Sequence, residues 1–106
     1  MLTSLKGAPK TVKGDFLCAY SSLHTLEGAP EYVGGDFCCN HNQLTSLNGS
    51  PEYIDGDFCC NNNRLKSLDG APETISGDFI CHDNAVQFTE EQVRALCKVG
   101  GRVVIL

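Results

Sequence analysis

Between Lys13 and Arg64 the chain has no lysine or arginine, while Asp15, Glu27, Glu31, Asp36, Glu52, Asp55 and Asp57 fall within the same stretch. Nucleic-acid binding requires cations that neutralise phosphates, so this gap argues against DNA or RNA as a partner. No run approaches the ~20 apolar residues a membrane-spanning helix needs, so no membrane insertion is expected. Met1-Leu2-Thr3 leads straight into a patterned segment, and no secretory signal is expected. The sequence also lacks a C-x-x-C pair, a Gly-rich phosphate loop between strand and helix, and a readable nucleophile–base–orienter set. The expectation is a chain that is not an enzyme and needs no metal or cofactor.

Cysteine is the opposite case, with seven in 106 residues. In a secreted chain this density would mark a disulfide scaffold. The count is odd, however, and Cys18, Cys39, Cys60 and Cys81 recur at one position of a repeat, where Cys reads as a small buried apolar residue. A reducing cytoplasm is therefore the expected compartment. The formal charge of −5 and the acidic middle suit a protein partner with a basic patch, although acidity also serves solubility.

The dominant feature is a 21-residue unit repeated four times without a gap. It aligns Leu2/Leu23/Leu44/Leu65, Leu5/Leu26/Leu47/Leu68, Gly7/Gly28/Gly49/Gly70 and Pro9/Pro30/Pro51/Pro72, together with Gly-Asp-Phe at 14–16, 35–37, 56–58 and 77–79. A strict period of this length means stacked coils, each burying its apolar side against its neighbours. The chain reads as one domain, 1–106, with repeats at 2–22, 23–43, 44–64 and 65–85 and a cap over 86–106. Asp-Phe-x-Cys-x alternates with period two, as a strand with one buried face does. Phe16, Phe37, Phe58 and Phe79 should stack inward beside the four frame cysteines. Asn42, Asn63 and Asn84 should turn in to satisfy backbone groups where the chain leaves the strand, with Ser21 in that place in the first repeat. The glycines of the Gly-Asp-Phe triplets are expected to supply a backbone shape that other residues resist.

Phe58-Cys59-Cys60-Asn61-Asn62-Asn63-Arg64-Leu65 fits the spacing L-x-L-x-x-N-x-L, with Phe and Cys in the first two apolar places. Phe37 to Leu44 and Phe79 to Val86 fit equally. On these residues the chain resembles the leucine-rich repeat family over roughly residues 2–86. The wording Leu-Thr-Ser-Leu-x-Gly-Ala-Pro, then Gly-Asp-Phe-x-Cys-x-x-Asn, is similar to small leucine-rich-repeat proteins of tailed bacteriophages. The resemblance implies an α/β-type repeat solenoid: four short coils, a parallel sheet on the concave face, and a C-terminal helix-strand cap. It also implies non-enzymatic protein binding on that concave face. A phage origin would make it a cytoplasmic factor of the infected bacterium that inhibits or redirects a host protein, such as a defence component. A three-sided β-helix with roughly seven residues per side also fits the coil length; the Asn spacing favours the leucine-rich repeat.

The family's implied binding residues are those pointing outward from the strands: Asp36, Cys38, Asn40, Asp57, Cys59, Asn61, Asp78, Ile80 and His82, continuing Asp15, Leu17 and Ala19. Neighbouring carboxylates at ~4.8 Å repel by roughly 1 kcal/mol in solvent, so the Asp column needs an offset. Local amides at the Gly-Asp turn, a partner's Lys or Arg, and a bound cation are the three readings. Cys38 and Cys59 should be lateral neighbours, with His82 a strand step along. Ordinary surface thiols, a zinc site and a redox pair are all open. The adjacent residues Cys39 and Cys60 should point to the opposite face. Reversing Asp36 and Asp57 to Lys is expected to abolish partner capture while leaving the fold intact. The alternatives to protein binding are a metal- or thiol-binding module and an acidic nucleic-acid mimic.

Elsewhere, His24 and His41 are expected to be solvated. Tyr32 and Tyr53 share a position beside the Pro arm, where they pack on it or form a second contact patch. In the last segment Thr89-Glu90-Glu91-Gln92 has capping-box spacing, with Val93, Leu96 and Cys97 on one helical face. Gly100-Gly101 should stop that helix, and Arg102 to Leu106 should form a final strand. The N-terminal end has Lys6, Lys10 and Lys13 instead, a device against edge-to-edge association. Pairing of two copies through that uncapped end stays open.

Overall fold

In the computed structural model, which describes residues 2–106, every repeat contributes two strands of two residues each. They are Thr11–Val12 (β1) and Phe16–Leu17 (β2), Tyr32–Val33 (β3) and Phe37–Cys38 (β4), Tyr53–Ile54 (β5) and Phe58–Cys59 (β6), and Thr74–Ile75 (β7) and Phe79–Ile80 (β8). A helix, Glu90–Leu96 (α1), precedes Lys98–Val99 (β9) and Val103–Val104 (β10). The odd strands β1-β3-β5-β7-β9 form one parallel sheet and the even strands β10-β8-β6-β4-β2 a second. The result is a β-solenoid of about four coils with a short C-terminal helix. Each residue pairs with its equivalent one repeat later, as Val12 with Val33 and Phe16 with Phe37. The sequence reading placed one sheet; the second exists because the Val/Ile arm also pairs across coils.

The core is the set of columns that the period defines. Phe37, Phe58 and Phe79 are fully enclosed, as are Leu23, Leu26, Leu44, Leu47 and Leu65, with Val33, Ile54 and Ile75 from the first sheet. The rings stack at centroid separations of 5.4, 5.9 and 5.1 Å, turning from parallel at Phe16–Phe37 to edge-on at Phe58–Phe79. Cys18, Cys39, Cys60 and Cys81 are buried beside them. Sequestering a Phe side chain is worth about 2–3 kcal/mol, so this spine is a large part of what holds the coils together.

Backbone groups at the corner after each even strand are satisfied by the Asn ladder. Asn63 Oδ1 accepts from Leu44 N–H, and its Nδ2 donates to the carbonyls of Cys39, Cys60 and Asn61. Asn42 repeats the pattern toward Leu23, Cys18, Cys39 and Asn40, and Asn84 toward Leu65 and Cys60. One side chain thus ties its own coil to the preceding one. In the first coil Ser21 does a smaller version, its hydroxyl accepting from Leu2 N–H at 3.3 Å.

The last segment is half of a fifth coil. Val99-Gly100-Gly101-Arg102-Val103-Val104-Ile105 lines up with Val33-Gly34-Gly35-Asp36-Phe37-Cys38-Cys39, and β9 and β10 pair in parallel with β7 and β8. The helix replaces the Leu-x-x-Leu and Pro arm. Thr89 caps it through a complete capping box, and Val93 and Cys97 face the core. Leu96 departs from expectation and is 56% exposed, because the core-facing stripe of so short a helix holds only Val93 and the C-cap Cys97. Gly100-Gly101 do not stop the helix, which ends at Leu96; they form the corner between β9 and β10.

A second correction concerns the Gly-Asp-Phe glycines. None has positive φ; that conformation belongs to Gly7, Gly28, Gly49 and Gly70. A Cβ on Gly35, Gly56 or Gly77 would instead fall on the Oδ1 of Asp15, Asp36 or Asp57 in the preceding coil. They are glycine to make room, not to bend.

Candidate functional site

The outward face of the second sheet carries three columns, each fixed by strand register. The first is Asp15, Asp36, Asp57 and Asp78, continued by Arg102. The second is Leu17, Cys38, Cys59, Ile80 and Val104. The third is Ala19, Asn40, Asn61 and His82. All nine predicted binding residues are half-buried on this face, as expected of side chains standing beside their neighbours.

The Asp column is a hydrogen-bond ladder. Asp36 N–H donates to Asp15 Oδ1 at 2.7 Å, Asp57 N–H to Asp36 Oδ1 at 2.8 Å, and Asp78 N–H to Asp57 Oδ1 at 2.8 Å. Arg102 N–H closes the series on Asp78 Oδ1 at 2.8 Å. The amide is therefore supplied by the next coil, not by the Asp's own turn. Each amide opposes some of the charge, and an N–H to carboxylate bond is among the stronger kinds. At the end of the column Arg102 Nη2 lies 3.6 Å from Asp78 Oδ2, a loose contact with the guanidinium largely in solvent. Charge reversal at Asp36 or Asp57 would remove an acceptor the next coil uses, so Lys at these positions would perturb the fold as well as the face.

In the middle column the Cys38 and Cys59 sulfurs are 3.5 Å apart. Cys39 and Cys60 point inward, as the alternation requires. The thiol–thiol hydrogen bond favours a Cys38 thiolate held by the Cys59 S–H, lowering the Cys38 pKa against desolvation and the repulsion of Asp36, Asp15 and Asp57. The same hydrogen bond, then burial, raises Cys59. The enclosed thiols all stay protonated: burial pushes Cys18 up to about 12 and Cys81 and Cys97 up to about 11, and raises Cys39 and Cys60 strongly. All seven cysteines are free thiols.

His82 does not converge with the thiols. It is engaged by Asp83, whose Oδ2 is 2.6 Å from its Nδ1. Among the described residues no three His, Cys, Asp or Glu side chains are grouped to hold a metal ion. His41 is not simply solvated: it is half-buried and stacks on Tyr20 at 4.3 Å. Tyr32 and Tyr53, partly exposed, are lateral neighbours in the first sheet, on a separate surface from the three columns.

Two arginines escaped the sequence reading. Arg94, on the helix, donates from Nη1 to Val99 O at 2.9 Å and from Nη2 to Gly101 O at 3.0 Å, with Nε on Glu90 at 2.8 Å. Those carbonyls continue the Val12/Val33/Ile54/Ile75 and Gly14/Gly35/Gly56/Gly77 columns, whose members accept from the next coil's backbone. The guanidinium takes the place that the next coil's amides hold along the rest of these columns. The signal for Arg102 was readable, since Val-Gly-Gly-Arg-Val occupies the frame of Val-Gly-Gly-Asp-Phe.

Comparison with protein-family models, with curated proteins and with solved structures finds no match to this chain. Among the described residues no helix is long and apolar enough to cross a membrane.

Proposed function

We propose that the chain is a non-enzymatic protein-binding module of leucine-rich-repeat type, and that the outward face of the second sheet receives the partner. The observation that carries this is the commitment of the Asp oxygens. In Asp15, Asp36 and Asp57 one carboxylate oxygen holds the next coil's amide, leaving the other to a ligand. The free oxygens form a row beside an apolar and thiol strip, which suits Lys or Arg side chains flanked by aliphatic contacts. The Asn ladder supports the leucine-rich-repeat assignment, because it puts Asn at the corner where that repeat requires it. Inhibition of a bacterial host protein is the narrower form of this role that the phage resemblance implies.

The experiment is affinity capture from bacterial lysate with mass spectrometry, comparing the parent with an Asp36→Asn/Asp57→Asn/Asp78→Asn variant. Asn keeps the Oδ1 acceptor and removes the charge, so the fold should survive where Lys would disturb it. Loss of a specific captured protein, about ten-fold or more, with unchanged circular dichroism is expected. A Tyr32→Ala/Tyr53→Ala variant should capture normally. Equal capture by the Asn variant, or loss only in the Tyr variant, moves the site off this face.

A further inference from the structure

Five of the seven cysteines are buried in the core, and two stand on the outer face in contact with each other. Cys38 and Cys59 occupy directly opposed positions on β4 and β6, so their Cβ atoms leave the sheet on the same side. Parallel strands about 4.8 Å apart bring Cα atoms within the roughly 4.4–6.8 Å that a disulfide spans. The column neighbours, Leu17 and Ile80, carry no sulfur, so each thiol has one possible partner within the column. Both thiols are half-buried, open enough for a small reagent.

We propose that Cys38 and Cys59 form a reversible dithiol–disulfide site, oxidised by low-molecular-weight disulfides of the glutathione class. The site does not depend on the binding role proposed above. In the first step the Cys38 thiolate attacks one sulfur of the small disulfide, whose S–S bond breaks and releases one thiolate. In the second, Cys59 gives its proton to solvent and its sulfur attacks the Cys38 sulfur of the mixed disulfide, expelling the second small thiolate. The protein loses two electrons and two protons, and the small disulfide takes both up as two thiols. The same steps run with the roles exchanged: the two thiols are equivalent by register and in contact, so whichever is deprotonated first attacks and the other resolves the mixed disulfide. The buried thiols remain protonated and out of reach.

The test is incubation of the full chain with oxidised glutathione at mildly alkaline pH, followed by N-ethylmaleimide quenching and peptide mapping. A Cys38–Cys59 cross-link reversed by dithiothreitol is expected, with the other five cysteines alkylated only after denaturation. Without oxidant, Cys38 should react with N-ethylmaleimide at least about ten-fold faster than any buried thiol. The Cys59→Ser variant should stall with glutathione retained on Cys38. Two free thiols after prolonged oxidation, or separate glutathiones on Cys38 and Cys59 in the parent, would overturn the proposal. So would cross-linking of either to a core cysteine while circular dichroism shows the fold intact.

Discussion

At the C-terminal end of the stack, Arg94 holds the outermost carbonyls of Val99 and Gly101, and a capped helix covers the core with Val93 and Cys97. At the N-terminal end, no comparable group among the described residues packs over the first coil: Phe16 is only half-buried, Val12 likewise, and Leu2, Leu17 and Tyr20 are exposed. Between the ends, every coil is held from both sides and its core residues hardly vary. A solenoid's ladders satisfy themselves by repetition, so the ends are where the chain must either bring in foreign groups or tolerate loss. One end does the first and the other does the second.

The strongest way to sharpen this contrast is to remove the same kind of corner group from the middle and from the open end. Asn63→Ala strips four hydrogen bonds from a buried corner: Leu44 N–H loses its acceptor, while the carbonyls of Cys39, Cys60 and Asn61 each drop to one remaining donor, from Asn42, Asn84 and His41. It should cost about 3 kcal/mol, read as a lower urea midpoint at unchanged slope. Ser21→Ala, at the equivalent place in the first coil, should cost less than about 1 kcal/mol. Similar midpoints for the two variants would mean that the interior ladder holds no more than the first coil's corner.

Glycine gives a cleaner comparison, because conformational strain drops out. Neither Gly14 nor Gly77 has positive φ. Nothing lies within 4 Å of a Cβ built on Gly14, whereas one on Gly77 falls on Asp57 Oδ1 and within 2.8 Å of the Gly56 carbonyl. Gly77→Ala should therefore push two coils apart and disturb the Asp57–Asp78 hydrogen bond, at about 2–3 kcal/mol. Gly14→Ala should change stability by less than about 0.5 kcal/mol, and can even stabilise by restricting the unfolded chain. Thermal unfolding of the pair decides it; equal shifts would remove the steric account of the triplet.

Those glycines also show what the sequence could and could not reveal. Their periodicity was visible, and so was the inward stacking of the phenylalanines, because alternation and a fixed repeat determine which side of a strand faces the core. Their reason was not visible. A glycine needed for its own φ and one needed for a neighbour's carboxylate look identical until the coils are stacked. The outward face was legible as columns for the same reason as the core, and register supplied Cys38 beside Cys59. The Asp amide came from the next coil because inter-coil contacts depend on the handing of strands across a corner, which spacing does not encode. The fifth half coil was hidden by the helix inserted before it: the register of Thr74 with Lys98 exceeds the repeat by three residues, and a fixed period steps over it.

Arg94 carries the smallest effect and the most direct test of the closed end. Its two carbonyl contacts lie near solvent, so Arg94→Ala exposes acceptors that water can serve in part, and a loss of about 1–1.5 kcal/mol is expected. Arg94→Lys should recover less than half of that, because an ammonium cannot present two parallel N–H groups to carbonyls in adjacent turns of the corner. The more specific consequence is association. An unheld row of acceptors at β9 and its corner is a template for another strand, so sedimentation of Arg94→Ala should become concentration-dependent while the parent does not change through that end. If Arg94→Ala keeps the parent's midpoint and sedimentation, the guanidinium covers an edge that needs no cover, and the two ends of the stack differ in shape but not in energy.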